Sequence, residues 1–293
     1  MTLRITPLHP HIGARVEGLD LRRPLTSDEA LQVESAMDTH AVLVFPGQDL
    51  DDDQQMNFGM NFGPIEQTRA TVDVAKQRLA HPLINDISNL DEKGEILAAD
   101  DRRRMFNLGN RLWHTDSSFK ATPSKYSMLH ARRIPPEGGE TEFADMRAAW
   151  DTLPEEMKVK MRDLVCEHSL LYSRTQLGFT GFTEEERLQF APVPQRLARR
   201  HAGSGRMSLF LSSHIGSIRG WPVPEAMALI RDLVEHATQR QFVFQHRWTV
   251  QDLVLWDNRC TMHRGRAYDD KAYPRDMRRV TLSDTAPTLE QTA

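Results

Sequence analysis

Toward its C-terminal end the chain carries four strand-like stretches in succession, "QFVFQHRWTV", "DLVLWDN", "CTMHRGRAY" and "MRRVTL", with no helical pattern between them. Successive parallel strands need a crossover helix, so this order disfavours a doubly wound sheet and points to a sandwich or jelly roll. Earlier stretches fit the same scheme. "LRITPL", "ARVEGLDL", "AVLVFPG", part of "LINDISNLD", residues 112 to 119, "KYSMLHARRI" and "ETEFADM" all read as strands. "QRLARRHAGSGRMSLFLSS" reads as a hairpin around a Gly-Ser-Gly turn.

Helices are fewer. "TSDEALQVESAMDTH" has Thr26 or Ser27 as cap, acids in its first turn, and Leu31 and Met37 among its apolar positions. A short helix is expected in "DDQQMNFGMNFG", a helix pair in "MRAAWDTLPEEMKVKMRDLV", and an amphipathic helix in "VPEAMALIRDLVEHATQ". Residues 66 to 110 are polar and weakly periodic, and 172 to 192 also read as loop. Such inserts are either cavity lids or solvated excursions. The Arg102–Arg104 run is expected in a solvated loop. No repeat or low-complexity linker divides the chain, so one mainly β domain with flanking helices is expected over residues 1–293.

Composition excludes several classes. The hydrophobic share of 39% and charged share of 27% are ordinary for a globular protein. A net charge of −4 gives no pull toward nucleic acid or a membrane surface. No apolar stretch approaches the roughly 20 residues of a membrane span. Cys166 and Cys260 form no CxxC, and the N-terminal stretch has no apolar signal core. A reducing cytoplasm is therefore the expected compartment.

The chemistry starts at "RLWHTDSSFKATPSKY". On a strand, His114 and Asp116 would project from one face, an imidazole beside a carboxylate. An isolated HxD is a weak signal, since most such pairs are structural or exposed. It gains weight with a third ligand from another strand, and His263 in "VLWDNRCTMHRGRAYD" is the best placed. His-x-Asp with a distant His is the facial triad of non-haem iron(II) oxygenases, which keeps positions open for a cosubstrate and dioxygen. Downstream, Arg275 and Arg279 lie four apart in "AYPRDMRRV" and would share a strand face, able to hold two separate carboxylates. Thr141 offers a hydroxyl to the first, and Arg278 is expected to point away. Any of these arginines is equally readable as a solvated edge residue. Trp113 and Trp256 are expected in core packing, and His201 and His214 are expected to be structural or exposed.

The strings "WHTDSSF", "GGETEFADMRAAWD", "RRHAGSGR", "EHATQRQFVFQHRW" and "DLVLWDNRCTMHRGRAYD" together resemble the iron(II)/2-oxoglutarate-dependent dioxygenases of the taurine dioxygenase superfamily. The likeness runs from about residue 3 to about residue 285, and is strongest to the 2,4-dichlorophenoxyacetate dioxygenase branch. It implies a double-stranded β-helix, with His114, Asp116 and His263 as iron ligands. It implies Thr141 and Arg275 on the distal carboxylate of 2-oxoglutarate, and Arg279 on the acidic group of the substrate. The implied reaction hydroxylates the carbon beside the ether oxygen of a phenoxyalkanoic acid, releasing a phenol and a 2-oxo acid such as glyoxylate, with succinate and carbon dioxide. A carboxylate at 116 leaves no place for a bound halide, which favours hydroxylation over halogenation. The resemblance also implies a homo-oligomer, with the inserts near the substrate cavity. Three other readings stay open: the same chemistry on a sulfonate such as taurine, a metal-binding jelly roll without oxygenase activity, and a zinc hydrolase, which the paired arginines fit poorly.

Overall fold

The structure is a computed structural model that describes residues 3–67, 78–79 and 81–291. In chain order the elements are β1 (Arg4–Pro7), β2 (Ala14–Glu17), α1 (Ser27–His40), β3 (Val42–Phe45), α2 (Asp52–Met60), β4 (Asn85–Ser88), α3 (Arg102–Asn107), β5 (Ser124–Arg133), β6 (Thr141–Asp145), α4 (Met146–Asp151), α5 (Glu155–Met161) and β7 (Val165–His168). There follow α6 (Leu170–Thr175), α7 (Glu184–Gln189), β8 (Val193–Arg196), β9 (Ala198–Arg200), β10 (Met207–Leu209), β11 (Ile215–Ile218), α8 (Val223–Ala237), β12 (Val243–His246), β13 (Leu253–Asp257), β14 (Thr261–Gly265) and β15 (Asp276–Ser283).

A seven-stranded sheet has the order β1-β2-β3-β13-β5-β15-β4, and a three-stranded sheet the order β12-β6-β14. Two further small sheets are β11-β7-β8 and β10-β9. Only the β2–β3 pairing is parallel; the rest are antiparallel, as strands without crossover helices require.

Strand alternation explains the layering. On β13, Leu253 and Leu255 pack with Leu43, Phe45, Met128 and Val280 against Val33, Met37 and Phe58 of α1 and α2. Val254 and Trp256 face the other way, with Val42, Leu129 and Met277, onto Phe143 and Phe244 of the small sheet. The large sheet is thus covered on both faces, which is why "DLVLW" reads as continuously apolar rather than alternating. Leu255→Ala at this central position is expected to cost about 2–5 kcal/mol, checked by the denaturant midpoint. Parity also orients the arginines of β15. Met277 and Arg279 face the small sheet, while Arg278 faces α2, where its side chain pairs with Asp276 and lies 3.8 Å from Asp52.

Several expectations need correction. Residues 112 to 119 are not a strand: His114 forms one β-bridge with His263, and a turn follows immediately. "AADDRRRMFNLGN" is not exposed loop but contains α3 and a 3-10 turn over Leu108–Arg111, because Phe106 is buried and its basic run is ion-paired. Arg102 pairs with Glu186, Arg103 with Asp101 and Arg104 with Asp270, so the run is helical, part-buried and ion-paired rather than a free solvated loop. Residues 172 to 192 contain most of α6 and all of α7 rather than plain loop; Thr183 and Glu186 form a capping box on α7. Leu31 is 65% exposed, and α1 instead buries Val33, Ala36 and Met37. Arg278 does point away from Arg279, but it is only 9% exposed and ion-paired, not a solvated edge residue.

Candidate metal centre

His114 and His263 meet through reciprocal backbone bonds, His114 N–H to the His263 carbonyl at 3.0 Å and His263 N–H to the His114 carbonyl at 2.8 Å. Directly opposed residues place their side chains side by side, and the two imidazole centroids are 4.2 Å apart. The chain then turns sharply. Ser117 has φ of 51°, a left-handed conformation that is uncommon for serine, and its hydroxyl donates to Glu66 at 2.9 Å. Asp116 sits at the start of this turn. Its N–H donates to Asn258 Oδ1 at 3.2 Å, and its carbonyl accepts from the Ser124 hydroxyl at 2.7 Å. Asn258 is itself held by Trp256 Nε1 and by the Ser127 hydroxyl. Two elements distant in sequence thus fix three side chains whose ligand atoms all lie within 4.8 Å of one another.

Protonation suits a cation. His114 Nδ1 lies 2.7 Å from the Leu112 carbonyl, which can only accept, so Nδ1 carries the hydrogen and Nε2 offers a lone pair. Burial lowers the pKa of His114 and drives that of His263 well below the ordinary value, the neighbouring His114 adding to the second shift. Burial pushes the Asp116 carboxyl up, but the Arg279 guanidinium beside it outweighs this and the carboxyl falls to about 2. Arg279 Nη1 donates to Asp116 Oδ1 at 2.7 Å, while the buried Oδ2 has no hydrogen-bond partner. An orphaned carboxylate oxygen facing two neutral imidazoles fits a divalent metal ion. A second cluster, His201, Asp257 and Cys260, is an internal polar knot: His201 Nε2 bonds Asp257 at 2.9 Å, and Asp257 also pairs with Arg259.

Beside the triad, Thr141, Arg275, Arg279, Leu129, Trp256 and Asn110 line a small cavity that reaches His114 and His263. The Thr141 hydroxyl accepts from Trp248 Nε1 at 3.0 Å. Arg275 takes part in no ion pair among the described residues, and its buried Nε has no partner. Burial without a counter-charge lowers its pKa, yet a guanidinium stays protonated. Such a cation is complementary to a small carboxylate.

A second cavity reaches His114, Asp116 and Arg279. Phe106, Phe119, Leu170 and Phe190 form its apolar wall, and Arg174, His214, Lys120 and Glu66 add polar groups. Both inserts therefore contribute lining residues. His214 is buried and held by the Ser173 hydroxyl, and it also lines this cavity, its ring 6.2 Å from that of His114. His201 is structural as expected. Trp113 and Trp256 both pack in the core, and Trp256 also lines the smaller cavity. Phe106, Phe119, Arg174 and Phe190 carry no motif, and sequence offers no sign of them beyond their lying in or beside polar inserts.

A buried face of two histidines and one carboxylate, opening onto two cavities within a sheet-rich scaffold, has the donor set of a mononuclear non-haem metal centre. More particularly, the chain belongs to the taurine catabolism dioxygenase TauD, TfdA family, whose profile matches residues 4–281, and it is a dioxygenase. It is 47% identical over 286 residues to the alpha-ketoglutarate-dependent 2,4-dichlorophenoxyacetate dioxygenase of Cupriavidus pinatubonensis, covering 98% of this chain and 99% of the other. It is 35% identical over 277 residues to the (S)-phenoxypropionate/alpha-ketoglutarate-dioxygenase of Sphingobium herbicidovorans, covering 90% of each. The crystal structure of AAD-2 in complex with Mn(II) and N-oxalylglycine superposes with a TM-score of 0.95 at 55% identity, over 98% of this chain and all (100%) of that one. A second crystal structure, of a putative alpha-ketoglutarate dependent 2,4-D dioxygenase from Burkholderia xenovorans, gives 0.83 at 40% identity, over 97% and 98%.

Proposed function

We propose that this dioxygenase uses Fe(II), 2-oxoglutarate and dioxygen to hydroxylate the carbon next to the ether oxygen of a phenoxyalkanoic acid such as 2,4-dichlorophenoxyacetate. The hydroxylated product falls apart to a phenol and a 2-oxo acid, glyoxylate for the acetate, while 2-oxoglutarate becomes succinate and carbon dioxide. The observation that carries this reading is the pairing of the candidate metal triad with two adjoining cavities that share Arg279, one also holding Arg275 and the other walled by phenylalanines. The similarity to 2,4-dichlorophenoxyacetate dioxygenases supports the substrate class.

His114, Asp116 and His263 would hold the iron. When bound, iron with 2-oxoglutarate and dioxygen supplies the oxidising power; the protein supplies position, charge and exclusion of water. Arg275 and Thr141 would receive the distal carboxylate of 2-oxoglutarate in the smaller cavity. Arg279, at the junction of both cavities, would grip the acid group of the substrate, so that the carbon beside it rather than the ring faces the metal. The phenylalanine wall would take the ring. Thr141→Val, which removes one hydrogen bond to the cosubstrate and one from Trp248, is expected to raise the KM for 2-oxoglutarate about 5- to 10-fold in a steady-state assay.

Oxygen consumption and succinate release, measured with 2,4-dichlorophenoxyacetate, longer phenoxyalkanoates and taurine, test the reading. Turnover is expected with the phenoxy acids. Succinate release coupled to taurine alone would move the substrate to the sulfonates, and no release with any acid would leave a metal-binding protein without this activity.

We also read the large sheet and the facing β12-β6-β14 sheet as a double-stranded β-helix, forming one domain over residues 1–293; the two-sided core supports this. No helix among the described residues is long and apolar enough to cross a membrane, consistent with the cytoplasmic location proposed here. A homo-oligomer is proposed from the family likeness, and sedimentation velocity tests it.

A further inference from the structure

Arg174 is a buried cation without a counter-charge. It is 7% exposed, forms no ion pair among the described residues, and its buried Nε has no hydrogen-bond partner. Burying an unpaired charge is expensive, and such groups persist where something supplies the missing partner. The fold nevertheless provides a fitted seat. The guanidinium lies over the Phe106 ring, 4.4 Å from its centroid, and Nη1 donates to the Ser173 hydroxyl at 3.0 Å. It also rests against Gly109, where an added Cβ would fall 2.2 Å from Nη1. Only glycine leaves room for it there. The Ser173 hydroxyl lies 2.9 Å from His214 Nδ1, tying the seat to a second lining residue.

This group lines the larger cavity together with Arg279 and two of the three candidate metal ligands, His114 and Asp116. Burial and the charge of Arg279 lower its pKa to about 10, so it remains cationic at neutral pH. Arg279 already donates to Asp116, whereas Arg174 is committed to no carboxylate. We propose that Arg174 is a second cationic anchor for the acid group of the substrate, supplying from the cavity wall the counter-charge that the protein itself withholds. The proposal rests on the reading of an acidic organic substrate given above, and adds a binding residue to it.

The test uses the metal- and 2-oxoglutarate-loaded protein under anaerobic conditions, with titration calorimetry of 2,4-dichlorophenoxyacetate, its neutral primary amide, phenylacetate and ethanesulfonate. Arg174→Met keeps the length and apolar stem but removes the charge. It is expected to weaken the acid by about 30-fold, as a lost charge-assisted contact would, while leaving the amide and 2-oxoglutarate unchanged. Arg174→Lys should restore part of the loss. Gly109→Ala, which displaces the guanidinium without removing it, should weaken the acid in the same selective way. The melting temperature of ligand-free Arg174→Met should equal or exceed that of the wild type, since an unpaired buried charge has gone. Acid binding unchanged in Arg174→Met, an equal loss of acid and amide, or a marked fall in melting temperature would each overturn the assignment. If the wild type binds ethanesulfonate but no phenoxy acid, the phenoxy reading fails while Arg174 is judged on the sulfonate. A wild type that binds no acid of the panel overturns both.

Discussion

Asp116→Ala is expected to abolish hydroxylation, with succinate release falling by at least about a thousandfold, well beyond the 10–100-fold typical of residues that only support a ligand. Asp116 would provide the single anionic donor to the metal, and its orphaned Oδ2 lies 3.7 Å from His263 Nε2. Without it, two neutral imidazoles would have to hold a dication alone. The same change strands Arg279, whose Nη1 bonds Asp116 Oδ1. Metal content by plasma emission spectroscopy should fall in step with turnover. An Asp116→Ala protein that turns over normally would remove the aspartate from the site.

The second large effect separates two arginines. Arg275→Ala is expected to raise the KM for 2-oxoglutarate about 100-fold, because truncation removes a guanidinium whose Nε has no partner and which no carboxylate of the described residues neutralises. The KM for the acidic substrate should move little. Arg279→Ala should do the reverse, raising the KM of the acid far more than that of 2-oxoglutarate. The structure adds an asymmetry: Arg279 also steadies Asp116, so kcat should fall in Arg279→Ala but not in Arg275→Ala. Steady-state kinetics varying each substrate in turn decides the matter. Identical profiles for the two variants would show that the carboxylates are not divided in this way.

The alternation on β15 shows why some of this was legible beforehand. Side chains two or four apart on a strand share a face whatever the fold, so the separation of Arg279 from Arg278 follows from sequence parity alone. The same holds for the buried strand in "DLVLW" and the capping box of α1, where Thr26 and Glu29 satisfy each other's backbone N–H groups. The reason given for His114 and Asp116, however, does not survive. They do not share a strand face; they converge because a bridge to His263 and a left-handed Ser117 redirect the chain. The polar inserts misled for a related reason. Their short helices are held by Phe106, Phe190 and ion pairs to remote segments, and none of these leaves a local periodicity.

The sequence by itself determined the mainly β layering, the identity of the three metal-ligand candidates and the opposite facing of Arg278 and Arg279, because these depend on residue type and on spacing within a segment. The expected shared strand face of Arg275 and Arg279 does not hold, since β15 begins only at Asp276 and its register shifts between Asp276 and Met277. Only the tertiary structure decided where the second cavity lies, that His214 and Arg174 line it, and that Arg279 is already engaged with Asp116. Those facts depend on distances between segments far apart in the chain. Burial and countercharge, which give a buried arginine or histidine its meaning, exist only once those segments have packed.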